Sequence, residues 1–237
     1  LFSSVKQETG YTSLISKQNL LPKQFDNMRE AKDYAEQYKG VYGMETCGTT
    51  NFITQFIQEE YPDEVKFDMD AINVVSFDIE VDISDGYADI ETADKMITSI
   101  AYKSSKSDTY HLLGMKDYDK SQTLLDIDPG DIQFMKFGTE EALLKRFMQI
   151  WINDYPDVIT GWNVEYFDVQ YIVTRIIRLF GEGAAKMLSP WKSVNQKTRE
   201  IFGKPASTYK ISGMTVIDYM DAFKKFGYKY GPQESYK

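Results

Sequence analysis

Residues 73–81 read Asn-Val-Val-Ser-Phe-Asp-Ile-Glu-Val, and the fold turns on this stretch. Val74, Val75, Phe77, Ile79 and Val81 mark a buried strand interrupted by few polar positions. Two of those positions are the acids Asp78 and Glu80. Side chains two apart on a strand share a face. Two acids on one face of an otherwise apolar strand repel each other and are poorly solvated. Either that face meets water, or a divalent cation holds the pair, because hard cations such as magnesium take oxygen ligands. Downstream, Asp168 supplies a third acid that favours the second reading.

Working outward, Met96–Tyr102 and Thr109–Leu113 read as two further strands meandering with the first across the short polar Ser104–Asp108 link. Ile132–Phe137 is another short strand. Thr139 opens a helix with Glu140 and Glu141 in its first turn, where the dipole favours acids. Leu143, Leu144, Phe147, Ile150 and Trp151 form its apolar face. Asp157–Thr160 is a short buried strand, followed by the turn Gly161-Trp162-Asn163. A second helix runs from about Tyr166 to Phe180 and ends at Gly181. Strands followed by helix–strand–helix predict an α/β fold, a mixed sheet flanked by helices with the later strand parallel to the central one.

Asp168 falls in the first turn of that second helix, beside a strand's carboxyl end, where α/β sheets gather ligands. Three carboxylates from two neighbouring elements can hold two metal ions that activate water and stabilise a leaving oxygen in phosphodiester hydrolysis. The plain alternative for Asp168 is a helix-start acid stabilised by the dipole.

Upstream, residues 1–28 are mixed and polar, with Leu20-Leu21-Pro22 as a turn or short extended piece. Asp26-Asn27 caps a helix from Met28 to about Tyr38, with Gly40 as its stop. Thr49 or Thr50 caps a second, with Phe52, Phe56 and Ile57 as its stripe, ending before Pro62. A charged connector over residues 62–69 places a boundary near residue 68. It separates a partial α+β domain, 1–68, from a larger domain, 69–237.

The composition, 42% hydrophobic and 14% aromatic over 237 residues, supports a sizeable core and argues against disorder. The single cysteine, Cys47, excludes an intrachain disulfide framework. No apolar run reaches membrane-spanning length. A net charge of −9 argues against a nucleic-acid coat but not against an enzyme whose metal site is itself acidic. Asp82, Asp85, Asp89, Glu91 and Asp94 lack EF-hand spacing and read as a solvated turn.

Phe77-Asp78-Ile79-Glu80 resembles the first exonuclease motif of family B DNA polymerases. Residues 161–168, Gly-Trp-Asn-Val-Glu-Tyr-Phe-Asp, resemble the second, whose core is Asn-x-x-x-Phe-Asp. The chain is similar to the replicative polymerases of T-even-type bacteriophages. Asp26-Asn27-Met28, Leu188-Ser189-Pro190, Val216-Ile217-Asp218-Tyr219 and Lys224-Lys225-Phe226 add to the likeness. The resemblance implies part of an amino-terminal domain, then most of a ribonuclease-H-like 3′→5′ proofreading exonuclease domain. It implies Asp78, Glu80 and Asp168 as catalytic carboxylates holding two Mg2+ or Mn2+ ions. The substrate would be a DNA primer–template with its single-stranded 3′ end. A sliding clamp and other replisome proteins would be partners of parts absent here, with RNA binding by the amino-terminal domain a further option. No membrane is involved, and the implied setting is the host cytoplasm.

The family's third motif, Tyr-x-x-x-Asp, does not occur in these residues. Tyr230 has Glu234 at that spacing, but in a Gly-Pro-containing loop. The motif is expected beyond Lys237, as are the palm, fingers and thumb. The parent is then expected to be a proofreading polymerase, and the 237 residues an incomplete piece of it.

Residues 186–210 hold Lys186, Lys192, Lys197, Arg199, Lys204 and Lys210 against one acid, Glu200. Glu200–Gly203 and Thr208–Ser212, around Lys204-Pro205-Ala206-Ser207, read as a hairpin. The resemblance implies that it helps part the primer end from its template; Lys197, Arg199 and Lys204 either neutralise phosphates there or belong to an ordinary solvated hairpin. Asn163 is a further DNA-contact candidate, and Trp162, Tyr166 and Phe167 either stack on a frayed base or belong to the core. Asp218 is expected to be a supporting or structural neighbour of the carboxylates, and His111 a structural or surface histidine. Two other functions fit the residues: a non-catalytic single-strand binding module, and a stand-alone repair exonuclease of the same fold.

Overall fold

The computed structural model describes residues 1–48, 51–64, 66–122, 124, 128–201 and 204–226. The chain divides into two compact units, Leu1–Phe67 and Asp68–Lys237.

The first unit holds strands β1 (Phe2–Val5), β2 (Tyr11–Thr12) and β3 (Asn19–Pro22), helix α1 (Met28–Gln37), strand β4 (Thr46–Cys47) and helix α2 (Phe52–Glu60). The strands form an antiparallel sheet in the order β2-β3-β1-β4. Of the two readings of Leu20-Leu21-Pro22 the extended one holds: it is strand, and Leu20 is buried. Asn27 caps α1 by accepting the Glu30 N–H at 3.0 Å. The α2 cap is Asn51, which accepts the Ile53 N–H at 3.1 Å. The expected caps Thr49 and Thr50 lie outside the described residues.

The second unit is built on a six-stranded sheet. Its elements are β5 (Val74–Val81), β6 (Ile97–Ser104), β7 (Tyr110–Gly114), β8 (Ile132–Lys136), α3 (Glu140–Asn153), β9 (Val158–Gly161), α4 (Asp168–Phe180), α5 (Glu182–Lys186), β10 (Val194–Ile201), β11 (Lys204–Ile211), β12 (Thr215–Asp218) and α6 (Tyr219–Phe226). The order is β12-β9-β5-β6-β7-β8. β5–β6 and β6–β7 are antiparallel; β7–β8, β5–β9 and β9–β12 are parallel. The mixed sheet with flanking helices expected from the sequence is the one observed.

Alternation decides what each face of β5 does. Val75, Phe77 and Ile79 are buried, while Ser76, Asp78 and Glu80 are exposed. The buried set meets Leu143, Leu144, Phe147 and Trp151 of α3 and Val169, Ile172, Val173 and Ile176 of α4 in one core. Phe77 lies edge-on to Trp151 at 5.7 Å between ring centroids. The Trp151 indole N–H donates to the Leu188 carbonyl at 2.8 Å, so burying the ring leaves no orphan donor. Burying each such large side chain contributes about 1.5–3 kcal/mol.

Glu140 stands in the first turn of α3 as expected, and tertiary packing gives it a second role. It is 5% exposed, its carboxylate takes the Arg175 guanidinium at 2.6 and 2.8 Å, and it accepts the Ile97 N–H at 2.8 Å. Its partner comes from α4, which local sequence cannot reveal. The hairpin is longer than expected. β10 and β11 pair from Val194↔Ile211 to Ile201↔Lys204, so residues 204–207 are strand, not turn. Pro205 is tolerated because a two-stranded ribbon leaves one side of each strand without a ladder to break. Residues 202–203 lie outside the described set.

Candidate active site

β9 pairs with β5 only from Val74 to Ser76. From Phe77 onward β5 keeps β6 on one side alone, which leaves backbone groups open on the other. Asp168 uses that opening. Its Oδ1 accepts the Ile79 N–H at 2.9 Å, between the two residues that carry Asp78 and Glu80. Asp168 is 2% exposed and begins α4. The β5–β6 register also shifts between Glu80 and Val81, a bulge of the kind that re-aims side chains at the end of a strand.

The route from β9 to Asp168 is tight. A Cβ on Gly161 would lie 3.0 Å from the Phe77 carbonyl oxygen and 3.0 Å from Val164 Cβ, so glycine lets β9 end this close to β5. Asn163 follows in the left-handed region, at φ 58°. Val164 is fully buried and anchors the turn. The Phe167 N–H donates to the Asn163 carbonyl at 3.1 Å and the Val169 N–H to the Val164 carbonyl at 2.9 Å, closing the turn into the helix.

Asp218 ends β12 opposite Gly161 and is 5% exposed. Its Oδ1 accepts the N–H groups of Asn163 at 3.0 Å and Met220 at 2.9 Å. Its Oδ2 accepts the Glu165 N–H at 3.1 Å. The Thr208 hydroxyl of β11 donates to the Glu165 carbonyl at 2.6 Å.

Electrostatics set this place apart. The Asp168 carboxyl is pushed up to about 7, chiefly by burial; the charges of Asp78 and Asp218 add to this, and the Ile79 N–H opposes it. Asp78 reaches solvent, yet the protein packed around its carboxyl still desolvates it enough to push its pKa up. Among the described residues no basic side chain pairs with Asp168. The donor set is all oxygen and carries excess negative charge, which suits a hard divalent cation. Among the described residues no three His, Cys, Asp or Glu side chains converge into a ready-made metal cage. Asp168 is fixed to the residue between Asp78 and Glu80 and feels the Asp78 charge, while Glu80 shares the exposed face of β5 with Asp78.

The other candidates are spread out. Asn163 engages Asp218 through its backbone. Phe167 stacks on Tyr171 at 5.9 Å and packs against the core. Trp162 is 41% exposed and leans on Tyr219 and Phe223 of α6. Lys197, Arg199 and Lys204 occupy the hairpin, opposite Thr208, Ala206 and Ile201. His111 lies in β7 beside Tyr102, and burial pushes its pKa down. The sequence places Thr208 only in the hairpin, with no sign of its bond to Glu165, and leaves open whether Asp218 supports the carboxylates or is structural. An acid closing an apolar strand, Val216-Ile217-Asp218, was the available signal for Asp218.

A family model described as DNA polymerase family B, exonuclease domain, matches residues 50–237. The DNA-directed DNA polymerase of Enterobacteria phage T4 is 28% identical over 246 residues, covering 96% of this chain and 27% of that protein. The DNA-directed DNA polymerase of Escherichia phage RB69 is 30% identical over 231 residues, covering 90% of this chain and 26% of that protein. The chain therefore spans about a quarter of the length of these curated relatives. With both motifs in place on β5 and at the start of α4, and the match running across most of its length, the chain belongs to the family B DNA polymerases and carries their exonuclease domain.

Proposed function

We propose that the chain removes nucleotides from the 3′ end of a DNA primer as the proofreading part of a replicative polymerase. The observation that carries this is Asp168, a buried acid with no basic partner among the described residues, fastened to β5 between Asp78 and Glu80. Burying a charge is unfavourable unless something compensates it. A divalent cation, Mg2+ or Mn2+, would supply that compensation, and Asp78, Glu80 and Asp168 are the residues that would hold it.

When bound, a pair of such ions activates the attacking water and stabilises the leaving oxygen. The chain's own residues do the positioning. The Ile79 N–H fixes the orientation of the Asp168 carboxylate. Asp78 and Glu80 stand on the open face of β5, where a phosphodiester can approach. Beside Asp78 a cavity of about 240 Å3, lined in part by Ser76, Ala101, Lys103, Tyr110 and Leu112, offers polar and apolar walls for a terminal nucleotide. The β10–β11 ribbon, with Lys197, Arg199 and Lys204, steers the strand through phosphate contacts.

The test is degradation of a 5′-labelled single-stranded oligonucleotide by the full-length protein with Mg2+. A ladder of shortened products is expected, and Asp168→Ala should abolish it. A ladder that survives Asp168→Ala rejects the assignment. DNA that is bound but never cut by the unaltered protein points instead to a single-strand binding platform.

A further inference from the structure

The turn that delivers Asp168 is held from outside, by groups that do not reach β5. Glu165 is gripped on both sides of its residue: its N–H goes to Asp218 Oδ2 at 3.1 Å, and its carbonyl takes the Thr208 hydroxyl at 2.6 Å. Asn163 is kept at φ 58° with its N–H on Asp218 Oδ1 at 3.0 Å. A non-glycine residue in that region is strained and persists when its surroundings over-determine it. Three residues after Glu165 comes Asp168, locked to the Ile79 N–H. The links run without a gap from β12 through the turn to β5.

We propose that Asp218 is a positioning residue for the exonuclease site, acting with Thr208 to set the Asn163–Glu165 turn and so the placement of Asp168. This rests on the exonuclease reading above. A carboxylate is needed because both of its oxygens accept, three N–H groups in all. An asparagine keeps the shape but turns an NH2 toward one of those N–H groups. Thr208 belongs to the hairpin ribbon, so the brace also ties the ribbon to the turn that carries the second motif.

The experiment compares the full-length protein with Asp218→Asn and Thr208→Val. It reads kcat and KM on a labelled single-stranded oligonucleotide, Mn2+ affinity by electron paramagnetic resonance, and Tm. Partners that orient metal-binding side chains are typically worth about 10–100-fold. Asp218→Asn should therefore lower kcat and weaken Mn2+ binding by about that range, with KM for DNA within about twofold. Thr208→Val, which loses one neutral hydrogen bond, should lower kcat by about 2–10-fold. Unchanged kcat and Mn2+ affinity in Asp218→Asn, with only Tm reduced, would make its role purely structural and overturn the proposal. If Asp218→Asn does not fold, Thr208→Val decides, and an unaltered kcat there rejects the brace. Cleavage that survives Asp168→Ala would instead remove the exonuclease reading itself, an outcome separate from either result at Asp218.

Discussion

The starts of α3 and α4 each bury an acid, and the two acids live opposite lives. Glu140 is 5% exposed and Asp168 is 2% exposed. Glu140 receives a two-pronged guanidinium from Arg175 and an N–H from Ile97. Arg175 also donates to the Ala93 carbonyl at 2.9 Å, so the pair clamps the loop leading into β6. Asp168 receives one N–H from Ile79 and the repulsion of two neighbouring carboxylates. The first arrangement is complete and holds the fold together. The second is left electrostatically unbalanced, and that imbalance is what the proposed cation would relieve. Burial alone does not mark an acid as functional; the state of its compensation does.

The comparison can be broken most sharply at the site. Asp78→Ala or Asp168→Ala should lower nucleotide release by more than about 10³-fold, since transition-state charge would lose its stabilisation. Release of labelled mononucleotide measures this. At the other helix start, Arg175→Ala strands Glu140 without its counter-charge and should cost about 3–5 kcal/mol in urea unfolding. A much smaller loss would mean that Glu140 tolerates isolation as Asp168 does, and the contrast would fail.

The third test uses pH. The Asp168 pKa is raised on folding, to about 7, so the folded protein holds that proton more tightly than the unfolded chain does. Stability is then lost as pH climbs from about 4 to about 7, and stays lost above that. Asp168→Asn keeps an acceptor for the Ile79 N–H and removes the charge. Without divalent cations it should be more stable than the natural protein by on the order of 2–4 kcal/mol at pH 8, and match it near pH 4. Equal stability at both pH values would show that the acid carries no burial penalty.

Two smaller effects calibrate the comparison. Gly161→Ala should cost about 1–3 kcal/mol, because its Cβ meets backbone at 3.0 Å, and nucleotide release should fall with it. Asn27→Ala removes an ordinary exposed cap, whose side-chain NH2 also donates to Glu30 at 2.7 Å. About 1 kcal/mol is expected there by thermal unfolding. That helix start serves neither catalysis nor core, and it gives the baseline for the other two.

Much of this was legible beforehand because it is local. The alternation of Val75, Phe77 and Ile79 with Asp78 and Glu80 fixes two faces on β5 from chain geometry alone. The helical spacing of Val169, Ile172, Val173 and Ile176 does the same for α4. What misled was also local. Lys204-Pro205 looks like a turn to any short window, yet cross-strand pairing carries it into β11. Glu140 is the dipole acid it looks like, but its partner Arg175 comes from 35 residues away and no local window shows it.

The sequence by itself determined the central strands and the two long helices of the second unit, the acids' shared face on β5, and the motifs that carry the family resemblance, since these follow from side-chain periodicity and residue identity. Only the tertiary structure decided which acids are compensated. The guanidinium on Glu140, the Ile79 N–H on Asp168 and the three N–H groups on Asp218 come from distant segments brought together by packing. The free energy of a buried charge depends on those neighbours, and chain order alone does not say who they are.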